Sequence, residues 1–103
     1  ESIASADETD ESSLQLPAAL LQQNIPNPFN SSTVIQYSLP NKFASAQITV
    51  ADITGRMVKQ FVLTVAGKGS ININAGMLAR GVYVYSLYID GKFIDSKHMA
   101  IIK

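Results

Sequence analysis

Cysteine is absent from this chain of 103 residues. That excludes disulfides, a thiol nucleophile and a cysteine-based metal site, and it permits an oxidising compartment without fixing one. Histidine occurs once, at His98. A lone imidazole in a strand-like stretch reads as a sheet-surface residue, because no serine–histidine–aspartate arrangement surrounds it to make it a general base. Beyond the acidic start the only carboxylates are Asp52, Asp90 and Asp95, which read as turn and strand-surface acids and offer no clustered metal ligands. Nothing approaches the run of about 18 apolar residues that crosses a membrane as a helix. No stretch of about 10 residues carries a helical period either, which sets parallel α/β folds aside. A phosphate loop is missing as well: Gly67-Lys68-Gly69 is too short and reads as part of a glycine-rich turn.

The formal net charge of zero hides an asymmetry. Glu1, Asp7, Glu8, Asp10 and Glu11 open the chain with no basic residue among them. Downstream, eight Lys or Arg stand against three Asp. These bases (Lys42, Arg56, Lys59, Lys68, Arg80, Lys92, Lys97 and Lys103) are scattered, the pattern of a solvated β-surface and not of a nucleic-acid groove. The sequence begins at Glu1 without Met or a signal peptide, and is expected to be a mature product or a fragment.

What is present is β-structure. Aromatic and β-branched residues flank Asp90-Gly91 in the stretch from Gly81 to Ile94, a strong hairpin signal, since both turn residues tolerate positive φ. Two registers are open. A two-residue loop sets Leu87 opposite Ile94 and Tyr85 opposite Ser96; a three-residue loop with a bulge brings Tyr83 opposite Met99 and Leu87 opposite Asp95. The second places Tyr83, Tyr85 and Leu87 inward with Met99 and Ile101, and is favoured.

Earlier stretches agree. Residues 1–22 are expected to be a flexible acidic linker, because the first 13 hold a single large apolar side chain, Ile3, too little to offset ordering entropy. Leu14 to Gln23 fits either a short turn after Pro17 or an extended segment on the domain edge. In Asn24-Ile25-Pro26-Asn27-Pro28-Phe29-Asn30 the prolines stiffen the backbone, the asparagines suit turns, and Phe29 is the natural core anchor. Thr33–Leu39 reads as a strand with Ile35, Tyr37 and Leu39 on one face, and Gln47–Ile53 as another with Ile48 and Val50 inward. Asp52–Gly55 turns into Met57–Val65, where Val58, Phe61 and Leu63 are apolar. Ala66–Gly69 is a turn, Ser70–Asn74 a short strand with Ile71 and Ile73 buried, and Met77–Arg80 a helical turn capped by Gly81 with Leu78 as a core plug. Tyr37, Tyr83 and Tyr85 are expected to be core or half-buried, and Tyr88 exposed. Six strands, or seven if the proline-rich segment pairs, separated by frequent turns, predict an all-β fold: an immunoglobulin-like antiparallel β-sandwich.

Residues 22–103 resemble the type A C-terminal sorting domain of cargo proteins of the type IX (Por) secretion system of Bacteroidota. The likeness rests on Gln23-Asn24-Ile25-Pro26-Asn27-Pro28-Phe29-Asn30, Thr33 to Pro40, Ile48-Thr49-Val50-Ala51-Asp52 with Gly55-Arg56, Leu78 to Tyr85, and the ending Lys97-His98-Met99-Ala100-Ile101-Ile102-Lys103. Ala51 departs from it, where an aromatic residue is common, and so does His98, where a second lysine is frequent. The resemblance implies a domain at residues 23–103 that follows an N-terminal cargo to which it is covalently linked. Cargo crosses the inner membrane by a separate signal, folds in the periplasm, and is recognised by the outer-membrane translocon. A sortase-like peptidase then removes the domain at the cell surface, with segment 1–22 the expected place of cleavage.

On this reading Asn27, Pro28, Phe29, Gly81, Tyr83, Lys97, Met99 and Lys103 carry translocon recognition, with strand addition to the terminal strand as the mode. No catalysis, cofactor, metal, nucleic acid or small-molecule substrate is expected. The alternative is a retained immunoglobulin-like module for adhesion or carbohydrate binding at the cell surface.

Overall fold

The computed structural model describes residues 19–103, and most of the expected linker, residues 1–18, lies outside the described residues. Seven strands follow in order: β1 (Leu20–Leu21), β2 (Ser32–Leu39), β3 (Ala46–Asp52), β4 (Met57–Val62), β5 (Gly67–Asn74), β6 (Gly81–Ile89) and β7 (Lys92–Ile101), with one 3-10 turn at Ala75–Met77. They form two antiparallel sheets, β1-β2-β5 and β4-β3-β6-β7, stacked as an immunoglobulin-like sandwich.

Period-2 alternation accounts for the core. Ile35 and Leu39 of β2, Ile48 and Val50 of β3, Ile73 of β5, Tyr85 and Leu87 of β6, and Met99 and Ile101 of β7 are all at most 3 % exposed. Successive side chains of a strand point to opposite faces, so each strand delivers every second residue to the space between the sheets. Each such side chain contributes about 1.5–3 kcal/mol by leaving water, enough in sum to hold the sheets together.

The β6–β7 hairpin combines features of both anticipated registers. Its loop has two residues, with Ile89 opposite Lys92 and Tyr88 opposite Phe93, and Asp90 and Gly91 take φ of 52° and 79°. Positive φ at both central positions is the geometry whose twist matches the flanking strands. The expected three-residue loop is therefore wrong. The register slip comes one residue later: Leu87 faces Asp95 and Tyr83 faces Met99, leaving Ile94 as the extra residue of a bulge inside β7. The loop stays tight because Asp90 is held from outside the hairpin. Its carboxylate accepts from the N–H groups of Ala44 (2.6 Å) and Ser45 (2.9 Å), and its own N–H donates to the Ser45 carbonyl at 2.8 Å.

Three other expectations are corrected. Gly67–Gly69 is strand and not turn: Gly67 pairs with Leu39 and Gly69 with Tyr37, so the link between sheets shrinks to Leu63–Ala66. Gly69 is required because the Tyr37 ring crosses it; a Cβ built there would lie 2.5 Å from the phenol oxygen. The helical turn sits at Ala75–Met77 and not at Met77–Arg80, and Leu78 leaves it in extended conformation (φ −135°, ψ 156°) while still filling the core. Tyr88 is half-buried, its ring edge-on to Phe93 at 5.9 Å between centroids. The seventh strand is Leu20–Leu21, which pairs with Tyr37 and Ser38; Leu21 is 3 % exposed. Pairing thus starts ahead of Gln23, and the extended alternative for this stretch is the one adopted.

Candidate recognition surface

The proline-rich segment crosses from one sheet to the other. It leaves β1, bridges Ile25 to Val34 of β2, then runs to Phe29, which bridges Ile101 of β7 in parallel. The Ile25–Pro26 and Asn27–Pro28 peptide bonds are both cis. Phe29 is 2 % exposed and anchors the segment in the core, as its size and position predict.

Buried polar groups hold the crossing. Asn24 is 1 % exposed, and burying an amide requires that its hydrogen bonds be met. Its Nδ2 donates to the Pro26 carbonyl (3.1 Å) and to Thr33 Oγ1 (3.0 Å), and Thr33 Oγ1 donates in turn to the Pro26 carbonyl at 2.7 Å. The backbone N–H of Asn24 donates to the Tyr85 hydroxyl at 2.7 Å, and that hydroxyl donates to the Gln22 carbonyl at 2.7 Å. Tyr85 thus reaches from the centre of the four-stranded sheet to the segment that crosses over it. Burial pushes its phenol up to about 12, with the Asp95 charge adding to the shift and the hydrogen bond from Asn24 opposing it.

The same segment covers the outer edge of β7. Phe29 N–H donates to the Ala100 carbonyl (3.0 Å) and Ile102 N–H to the Phe29 carbonyl (2.9 Å). Ala100 N–H donates to Asn27 Oδ1 (3.0 Å), while the His98 carbonyl accepts from Gln23 Nε2 (2.6 Å) and Asn27 Nδ2 (3.4 Å). Ser96 N–H is taken by the neighbouring Asp95 carboxylate at 2.8 Å. Over the His98–Ile102 part of this edge the His98 carbonyl, both Ala100 backbone groups and the Ile102 N–H are already paired, so strand addition there would have to displace the proline-rich segment.

The eight residues expected to carry recognition converge on this unit in different ways. Asn27, Pro28 and Lys103 are exposed, Gly81 and Lys97 are half-buried, and Phe29, Tyr83 and Met99 belong to the core. Tyr83 stands opposite Met99 and Gly81 opposite Ile101. The Tyr83 hydroxyl donates to the Ala79 carbonyl at 2.6 Å, tying the loop before β6 to the strand in the manner of the tyrosine corner of immunoglobulin-like folds. Lys97 meets Asp95 at 3.6 Å. The Lys103 ammonium donates to the carbonyls of Ala75 (2.7 Å) and Leu78 (2.8 Å), so it caps the 3-10 turn. Sequence reasoning missed Asn24, Thr33 and the Tyr85 hydroxyl. The available signal was Tyr85 itself, a polar-tipped side chain at an inward position whose O–H must find a partner.

Among the described residues no three His, Asp or Glu come together as metal ligands. A groove of about 560 Å³ lies beside the β2–β3 loop, between Asn41–Ala46 and Val62–Ala66, and its lining holds one charged side chain, Lys42. The eight recognition candidates are all absent from it.

Comparison of the whole chain with curated proteins finds no match. The family model described as the secretion system C-terminal sorting domain matches residues 24–103, which span the segment from the buried Asn24 to the capping Lys103. The match takes in every strand of the sandwich except β1, and the chain belongs to the type IX secretion C-terminal sorting domain family, whose members are attached to a cargo protein and direct its export to the cell surface or beyond.

Proposed function

We propose that residues 23–103 act as a folded address, without catalysis of their own, that the outer-membrane translocon reads as a surface. The cargo precedes them on the same chain, crosses the inner membrane by a separate signal and folds with them in the periplasm. After translocation a sortase-like peptidase cuts upstream of the sandwich, in the part of the 1–22 segment that precedes β1. The carrying observation is the covered edge of β7. Backbone groups of His98, Ala100 and Ile102 are already bonded to Gln23, Asn27 and Phe29, so over these residues a receptor meets exposed Asn27 and Pro28 and not a free strand edge. The proposed mode is therefore reading of this surface, with no strand added at His98–Ile102.

The test is a secreted reporter fused ahead of the full chain. Removing Lys97–Lys103 is expected to strand it in the periplasm, and normal export of that truncation would refute the proposal. Mass spectrometry of exported cargo reads the cleavage: a new C-terminus ahead of Leu20 supports it, and a mature surface protein that retains residues 23–103 and binds glycan points to an adhesion or carbohydrate-binding module instead.

A further inference from the structure

We infer that residues 20–29 form a force-bearing strap that is loaded in shear when the domain is pulled by the chain ahead of it, so that the sandwich resists unfolding from that direction. Three placements carry the inference. The ends of the described chain lie at opposite ends of the sandwich. Leu20 pairs with Ser38, beside the end of β2 at Leu39, whereas Lys103 rests on the carbonyls of Ala75 and Leu78, just beyond the end of β5 at Asn74. A pull between the two ends therefore runs along the strands.

The second placement is the direction of the strap where it meets β7. Phe29 and Ile101 run parallel, unlike every strand pair among the described residues. Inter-strand hydrogen bonds lie across the strand direction. Two parallel terminal segments drawn from opposite ends slide past each other, and the bonds between them are strained together. An antiparallel pair opened from its adjacent ends loses them one after another. Here the group to be broken includes Phe29 N–H to Ala100, Ile102 N–H to Phe29 and Ala100 N–H to Asn27.

The third is the cross-tie behind them. Gln23 reaches the His98 carbonyl and the Tyr85 hydroxyl holds Gln22 and Asn24, while the Phe29 ring is sunk in the core at 2 % exposure. Sliding the strap requires extracting that ring and stripping a buried hydroxyl of both partners at once. The mechanical claim stands on the fold alone; that the load comes from attached cargo follows from the family.

Single-molecule pulling on the full chain tests it, with handles either at the two chain ends or on cysteines introduced by Leu20→Cys and Ser38→Cys, which sit side by side. The end-handled chain is expected to survive a constant load at which the side-by-side pair opens. Asn27→Ala is expected to raise the unfolding rate under end load about tenfold, as the loss of two hydrogen bonds absent from the opened state predicts, and to leave the first opening of the side-by-side pair unchanged. A urea melt establishes that the variant folds; if it does not, Gln23→Ala replaces it under the same reading. Equal survival in the two pulling geometries, or no effect of either substitution under end load, would overturn the strap.

Discussion

Tyr85 and Gln22 stand 63 positions apart in the chain and are joined by a 2.7 Å hydrogen bond from the phenol hydroxyl to the backbone carbonyl. The same oxygen accepts from the Asn24 N–H, so one buried atom settles both the position of the strap and the hydrogen-bond needs of two backbone groups. Four expectations follow from this and neighbouring contacts.

Tyr85→Phe keeps the ring and removes the oxygen. The Gln22 carbonyl and Asn24 N–H then lose their partner beneath a ring that is 0 % exposed, and leaving buried polar groups unpaired costs about 1–3 kcal/mol. Urea denaturation of the full chain is expected to show a lower midpoint with an unchanged slope. Hydrogen exchange at Asn24 should accelerate more than at residues of β3. An unchanged midpoint would mean that the hydroxyl contributes nothing.

The same hydroxyl predicts the alkaline limit of the fold. Its pKa is raised by burial to about 12 from the ordinary phenol value of 10.0, so the protonated form is the one the fold holds. A group raised on folding contributes its full stability below the unfolded pKa, and that contribution is lost as pH rises toward the folded value. The difference in stability between the native chain and Tyr85→Phe is thus expected to be constant below pH 10 and to shrink between pH 10 and about 12. Phenolate absorbance of the native chain should carry a late-titrating component that the variant loses.

Gly69→Ala puts a methyl group 2.5 Å from the Tyr37 phenol oxygen. The ring is half-buried and has somewhere to go, so the cost falls in the range of mild overpacking, about 1–3 kcal/mol. In the Tyr37→Ala background the same substitution is expected to be nearly neutral. Thermal melts of the four members of this double-mutant cycle measure the coupling; additive effects would show that the two residues do not collide.

Gly81→Val tests a different kind of constraint. A Cβ at Gly81 meets nothing within 4 Å, yet φ is +151°, a backbone state that a β-branched residue adopts only under strain of about 1–3 kcal/mol. Gly81 begins β6 opposite Ile101, so the strain falls where the loop after Leu78 joins the sheet. A lowered melting temperature is expected, with reporter export reduced in proportion to the unfolded fraction; a melt that does not move would show that the strand end yields freely.

How far the sequence led is clearest strand by strand. Ile35, Ile48, Val50, Tyr83, Tyr85, Leu87 and Met99 are inward as alternation requires, because in a strand the period of 2 and the two-faced environment are the same fact. The inward set of the last hairpin was readable for the same reason, and Asp90-Gly91 announced its turn. What was missed there is the separation of loop and slip. The inward pattern requires a one-residue shift, but a bulge placed at Ile94 satisfies it as well as a longer loop. Only the Asp90 carboxylate, bonded to Ala44 and Ser45 across the molecule, decided between them. The glycines at 67 and 69 misled in the same way. Locally they read as a turn, and the reason for Gly69 is a ring more than 30 residues earlier in the chain, at Tyr37.

For the candidate surface, the size and position of Phe29 were sufficient to place it in the core, whereas a recognition role for Asn27, Pro28, Phe29, Gly81, Tyr83, Lys97, Met99 and Lys103 came from the family resemblance. The sequence was silent on Asn24 and Thr33 as a buried polar pair and on the pairing of the β7 edge at His98–Ile102. By itself the sequence determined which residues alternate, the tight turn at Asp90-Gly91 and the absence of cysteine chemistry, since these depend on composition and on neighbours one to four positions away. The tertiary structure alone decided that the strap lies parallel to the last strand and that a tyrosine from the other sheet secures it. Hydrogen bonds between distant segments exist only once both sheets have stacked, and no local pattern encodes which carbonyl a buried hydroxyl will meet.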